Sequence, residues 1–178
     1  RKLKRLLSGQ GLDEVVSYAL VSEDKVFDFV KEETELVKDM TDIALEELEH
    51  FKMVHQLMIK RGFVLGREQH NDYAKSLQGF FPKTKDRPTA LINRLLVAAL
   101  IEARSCERFR LLSEELKDKE LAEFYKNLMI SEANHYTMFL GFARKYGDRK
   151  EVDAKWQQLL EYESEIMRNL GKTEAIHG

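Results

Sequence analysis

Residues 34–61 read TELVKDMTDIALEELEHFKMVHQLMIKR, and two polar residues inside this stretch decide what kind of helical protein it belongs to. Val37, Met40, Ile43, Ala44, Phe51, Val54 and Met58 recur at three- and four-residue steps. The segment is therefore one amphipathic helix of roughly seven to eight turns, ending at Gly62. Glu47 and His50 fall on the same apolar stripe, where the helical period calls for core residues. A carboxylate held there alone costs several kcal/mol or is driven to protonate. The stripe needs a cation between its apolar turns.

The pattern recurs downstream. Leu91, Leu95, Ala98, Ala99, Cys106, Phe109 and Leu112 mark a helix that starts after Pro88, where Thr89 can cap it, and runs to about Leu116, with Glu102 on its stripe. Leu121, Phe124, Tyr125, Leu128, Phe139 and Phe142 mark the next, from about Asp118 to Tyr146 and stopped by Gly147, with Glu132 and His135 on its stripe. A last helix, about Asp148 to Leu170, carries Val152, Trp156, Leu159, Leu160, Tyr162 and Met167. Upstream, a weaker period spans about Leu12 to Val30. Between 62 and 88, Gly62, Gly66, Gly79, Pro82 and Pro88 break the period, and Tyr73, Leu77 and Phe80 make a short amphipathic turn within a long crossover. Two helical hairpins joined by one long connection are the topology of an all-α, ferritin-like four-helix bundle, with the additional C-terminal helix packed outside. A plain up-down bundle without an active centre is the alternative that the polar residues must exclude.

Composition agrees with this. A length of 178 residues makes one domain, 1–178, and two prolines and nine glycines are too few turn-formers for a β protein. A formal charge of −2 excludes a broad basic coat for nucleic acid. No stretch has the length and apolarity of a membrane span, and the basic start Arg1–Arg5 lacks a following signal-type run, so a cytoplasmic protein is expected. Cys106, the single cysteine, has no internal disulfide partner. The chain does not begin with methionine, and a missing native N-terminus is expected.

In a Glu-x-x-His pair the two side chains lie one turn apart on one helix face and reach one ion together, while carboxylates of neighbouring helices bridge to a second. Carboxylate oxygen with imidazole nitrogen suits iron or manganese, with iron as first choice. Glu47, His50, Glu102, Glu132 and His135 are the candidate ligands. A third pair, Glu174 and His177, lies beyond Gly171 and is read as accidental; Glu46, Glu49 and Glu107 are read as solvated helix faces. A centre of this type needs a sixth ligand on the first helix. The thirty-residue step between Glu102 and Glu132 points back from Glu47 to Ser17, so the nearby acids Asp13, Glu14 and Glu23 come into question, with Glu14 the nearest fit at about one turn away.

The runs Glu46-Glu47-Leu48-Glu49-His50, Ile101-Glu102-Ala103-Arg104-Ser105-Cys106-Glu107-Arg108-Phe109 and Ser131-Glu132-Ala133-Asn134-His135-Tyr136 closely resemble the tRNA 2-methylthio-N6-isopentenyladenosine hydroxylase family. The resemblance covers about Thr34 to the C-terminus, and the run from Ile101 to Phe109 is its most specific part. It implies a non-haem di-iron centre with Glu47, His50, Glu102, Glu132 and His135 as ligands. It also implies O2 as co-substrate and hydroxylation of the isopentenyl chain of a hypermodified adenosine next to the anticodon. The family's first-helix motif has no counterpart between Arg1 and Val30, so the resemblance does not identify the sixth ligand.

Phe51, Phe109 and Phe139 are candidates to line an apolar pocket for a prenyl chain, or are ordinary core. Electrons must come from a separate reductase or ferredoxin, because no cysteine cluster, flavin motif or second redox domain is visible. A tRNA-binding face has to be local, with Arg104, Arg108 and Arg110 near the site helix and Lys83, Lys85 and Arg87 in the crossover as candidates against the plainer reading of solubilising charge. The competing function is a ferritin-like iron-handling or peroxide-reducing protein without a nucleic-acid partner.

Overall fold

The computed structural model describes residues 35–64, 66 and 72–169. Among the described residues all regular structure is helical: α1 (Glu35–Lys60), α2 (Asp72–Phe80), α3 (Arg87–Glu115), α4 (Lys119–Tyr146) and α5 (Arg149–Asn169). The helix expected over 12–30, and with it Glu14, lies outside the described residues. The four long helices expected downstream are α1, α3, α4 and α5, with bounds that differ by a residue or two. The chain falls into two compact units, Arg1–Asp72 and Tyr73–Gly178. No helix among the described residues is long and apolar enough to cross a membrane.

In the first unit, α1 buries Leu36, Ile43, Glu47 and His50 and leaves Leu45, Leu48 and Ile59 exposed. Its end follows from Gly62, which sits at φ +77°, a left-handed conformation open to glycine. The Gly62 N–H donates to Ile59 O (3.0 Å) and the Phe63 N–H to Met58 O (2.9 Å), so the last carbonyls are satisfied in a Schellman turn.

In the second unit, α3 and α4 form an antiparallel hairpin across residues 116–118. Asp118 caps α4 by accepting from the Leu121 N–H at 3.0 Å. The run from Leu95 to Ile101 is buried at every position, which the unbroken apolar sequence there explains: a helix apolar all round is one surrounded by protein. Glu102 follows directly on this run. Thr89 does not cap α3. Asp86 does, its carboxylate accepting from the Thr89 N–H at 3.0 Å, and Pro88 falls within the first turn, where no backbone donor is lost. The crossover holds a true helix, α2, because Tyr73, Ala74 and Leu77 present one fully buried face. Phe80 packs on Tyr162 of α5 (4.8 Å between ring centroids), and the Tyr162 hydroxyl donates to Ser76 O at 3.4 Å.

Gly147 ends α4 for a reason other than backbone freedom, since its φ of −119° is ordinary. A Cβ there would lie 2.7 Å from Val152 Cγ2 and 2.8 Å from Ile92 Cδ1. The start of α5 and the second turn of α3 close on the glycine from both sides. Gly147→Ala is expected to destabilise by about 1–3 kcal/mol through overpacking, read as a fall in thermal midpoint with secondary structure unchanged.

Candidate metal centre

The α3–α4 hairpin brings Glu102, at mid-α3, to Glu132 and His135, which are one turn apart on α4. Each offers a ligand atom, and these atoms lie within 4.8 Å of one another. All three are buried, with Glu102 and His135 only 1% exposed and Glu132 5%. Two carboxylates brought this close away from water repel each other and lose hydration, an arrangement that a divalent cation offsets. Two oxygen donors and one imidazole nitrogen suit iron or manganese. The residues present therefore fit the metal that their spacing implies.

The first unit carries the same local unit of structure. Glu47 and His50, three residues apart on α1, are both buried, and Glu47 Oε1 stands 3.4 Å from His50 Nδ1. The pairs on α1 and on α4 thus repeat one motif, an acid and an imidazole one turn apart on the buried face of a helix. Glu46, Glu49 and Glu107 are exposed, with Glu49 paired to Lys52 at 3.0 Å and Glu107 to Arg104, which agrees with solvated helix faces. Glu14 lies outside the described residues.

Cys106, one turn beyond Glu102, is half-buried; burial first, and the Glu132 and Glu107 carboxylates next, push its thiol up from the ordinary value, so it stays protonated. Phe139 is buried, and Phe109 stacks on Tyr125 at 5.5 Å between centroids. Seven residues separate Phe109 from Glu102, about 10 Å along the helix. Phe51 of α1 stacks on His55, with 6.0 Å between centroids.

One buried acid was not singled out from the sequence. Glu163 of α5 has no exposed surface. It accepts from Arg104 twice, Nε to Oε1 at 2.6 Å and Nη2 to Oε2 at 2.5 Å, and from the Tyr73 hydroxyl at 3.1 Å. The remaining Arg104 nitrogen, Nη1, donates to Glu107 Oε2 at 2.5 Å. This network ties α2, α3 and α5 together. It also corrects the sequence-based role of Arg104, whose guanidinium is committed to carboxylates of the protein. Arg110 pairs with Glu114 at 3.3 Å, and burial lowers the half-buried Arg108 from the usual guanidinium range. The signal for Glu163 was present, since Val152, Leu159, Glu163 and Ile166 lie on one helical face and all four are buried.

A family model described as tRNA-(MS[2]IO[6]A)-hydroxylase (MiaE) matches residues 15–178. The match begins upstream of Thr34, where the motif resemblance starts, and one residue after Glu14. The chain is 41% identical over 118 residues to the tRNA 2-(methylsulfanyl)-N(6)-isopentenyladenosine(37) hydroxylase of Pseudomonas putida, covering 66% of this chain and 56% of that protein. It is 33% identical over 133 residues to the protein of the same name from Salmonella typhimurium, covering 75% of this chain and 48% of that protein. The chain thus spans about half the length of these curated relatives. Among solved structures it is similar to a protein with aldehyde deformylating oxygenase activity from Synechococcus, with a TM-score of 0.80, 27% identity, and coverage of 99% of this chain and 85% of that one. The fold is the all-α, ferritin-like one that the helical pattern and the two Glu-x-x-His pairs led us to expect.

Proposed function

This chain belongs to the MiaE family of tRNA hydroxylases, and from that premise we propose that it hydroxylates the isopentenyl side chain of 2-methylthio-N6-isopentenyladenosine in tRNA, next to the anticodon, with O2 as co-substrate. The observation that carries the proposal is the buried convergence of Glu102, Glu132 and His135 on one hairpin. Together with Glu47 and His50 of α1, and Glu14 as the sixth position, they would hold two iron ions within a single ferritin-like domain. A bound iron pair supplies activation of O2 towards an aliphatic carbon–hydrogen bond.

The protein's part follows from its residues. The glutamates bring negative charge to neutralise the metal, and each can bind through one oxygen or two. The histidines contribute neutral nitrogen donors that fix ligand geometry. The buried Phe139, on the helix that carries Glu132 and His135, would help exclude water, and the partly buried Phe109–Tyr125 pair farther along the hairpin would suit a branched hydrocarbon chain. Insertion of one oxygen atom into a carbon–hydrogen bond reduces the other to water and consumes two electrons and two protons. We propose a separate reductase or ferredoxin as the source of those electrons. A tRNA substrate also places the activity in the cytoplasm.

The test is nucleoside mass spectrometry of tRNA from cells with and without the gene. Loss of the hydroxylated nucleoside in the deletion, with its unhydroxylated precursor accumulating, is expected. Persistence of the hydroxylated form would refute the proposal. Iron uptake or peroxide turnover by the purified protein with unchanged tRNA would point to the iron-handling function instead.

A further inference from the structure

One end of the second unit is strongly basic, and the metal chemistry makes no use of it. The start of α3, the end of α4 and the start of α5 meet there around Gly147, which Ile92 and Val152 crowd from either side. Residues 82–94 carry Lys83, Lys85, Arg87 and Arg94 against Asp86, and residues 144–153 carry Arg144, Lys145, Arg149 and Lys150 against Asp148, Glu151 and Asp153. Seven of these eight basic side chains are exposed; the half-buried Arg144 donates to Asp153 at 2.7 Å, and the exposed Arg149 lies 3.9 Å from the other oxygen of that carboxylate. Two of the four acids are turned to backbone, Asp86 to the Thr89 N–H and Asp148 to the Lys150 and Glu151 N–H groups. The opposite end of the hairpin, residues 110–126, carries four basic side chains against five acidic ones. The net charge of this end is therefore +4 (eight basic less four acidic side chains), against −1 (four less five) at the opposite end of the hairpin.

The helix dipole does not account for this placement. A helix N-terminus favours negative charge and disfavours positive charge by about 0.3–1 kcal/mol per residue. Yet Arg87 is the first residue of α3, Arg149 and Lys150 are the first two of α5, and Lys83 and Lys85 just precede α3. Arg144 and Lys145, in the last turn of α4, are where the dipole favours them. The exposed bases and the two helix N-termini add to a positive potential that a polyanion would neutralise.

We infer that this end, with Lys83, Lys85, Arg87, Arg149 and Lys150 as its main binding residues, receives the phosphate backbone of the substrate RNA. The inference rests on the proposed function. Arg87 stands fifteen residues before Glu102, and Lys145 ten after His135. These separations are about 22 Å and 15 Å along their helices. Backbone held here lies within a few nucleotides of a base presented at the metal centre. Arg104, committed to Glu163, takes no part.

The experiment compares iron-loaded wild type with the variants K83Q/K85Q/R87Q and R149Q/K150Q, and with K117Q/K119Q at the opposite end as control. Each is titrated with tRNA carrying the unhydroxylated nucleoside, by fluorescence anisotropy over a range of salt, alongside thermal midpoints and steady-state hydroxylation. Both basic-end variants are expected to weaken binding tenfold or more, and to lower the slope of log affinity against log salt by about 0.7 for each phosphate that is no longer neutralised. KM should rise by the same factor with kcat retained, and the thermal midpoint should hold or rise as repulsion at the helix N-termini is removed. Wild-type affinity and salt slope in both variants would overturn the inference while leaving the hydroxylase proposal standing. A wild-type protein that binds no tRNA would overturn the two together.

Discussion

Replacing Glu132 with alanine is expected to leave a folded protein that no longer retains a full complement of iron and hydroxylates at least ~100-fold more slowly. Glu132 is one of three donors whose atoms lie within 4.8 Å of one another, and the α3–α4 hairpin presents it directly to Glu102 and His135. Without it, that hairpin offers one carboxylate and one imidazole. Loss of activity alone would not separate ligation from a structural role, but the sign of the stability change does. In metal-free protein the buried carboxylates repel one another, so removal of one leaves stability unchanged or raises it. In the presence of iron, wild type gains stability by mass action, about 2.7 kcal/mol at a free metal concentration a hundred times Kd, and the variant gains much less. Iron content per chain and thermal midpoints with and without iron give the answer. A variant that keeps the iron stoichiometry and the metal-induced rise of the wild type would show that Glu132 is a buried polar residue and no ligand.

The second large effect is expected far from any ligand role. Glu163→Ala removes a carboxylate without exposed surface that satisfies two Arg104 nitrogens and the Tyr73 hydroxyl. Breaking one side of such a pair leaves the partner charge stranded. Because the Arg104 side chain is 36% exposed and keeps its bond to Glu107, water recovers part of the loss, and about 2–4 kcal/mol is expected. That is a fall of roughly 6–12 °C in thermal midpoint for a chain of this size.

The network also sets an alkaline limit. Burial first, and then the Glu163 charge and hydrogen bond, raise the Tyr73 hydroxyl well above its ordinary value. A folded-state pKa raised above the unfolded value near ~10 contributes stability that is fully present below that pH, and lost as pH rises through the folded value. Wild type should therefore lose stability above pH ~10 more steeply than Tyr73→Phe. Denaturant midpoints of the two proteins across that range measure the difference, and parallel curves would exclude Tyr73 as the cause.

Much of the fold was legible because its helices are long and strongly punctuated. Gly62 and Gly147 ended helices where expected, and the apolar stripes of α1, α3 and α4 picked out Glu47, His50, Glu102, Glu132 and His135, each of which is buried. What escaped was short or shared between elements. The helix α2, expected only as a short amphipathic turn around Tyr73, Leu77 and Phe80, has nine residues, too few for its extent to stand out against the glycines and prolines around it. Asp86 was missed as the cap of α3 because Pro88 reads as a stop when its place in a first turn is not considered. Glu163 sits on a core stripe that marks it as buried, but its partners Arg104 and Tyr73 lie 59 and 90 residues away, so no local pattern announces the network it joins. The same network answers why Arg104 is poorly placed to bind RNA, a matter that charge composition alone leaves open.

The most direct test of the central claim is a single-turnover reaction of iron-loaded, chemically reduced protein with tRNA bearing 2-methylthio-N6-isopentenyladenosine under isotopically heavy O2, followed by nucleoside mass spectrometry. The expected product is that nucleoside carrying one heavy oxygen atom on its isopentenyl chain, absent when Glu132→Ala replaces wild type. A nucleoside recovered unchanged from iron-replete wild type, or an added oxygen that carries no label, would contradict the assignment of this chain as an O2-dependent tRNA hydroxylase.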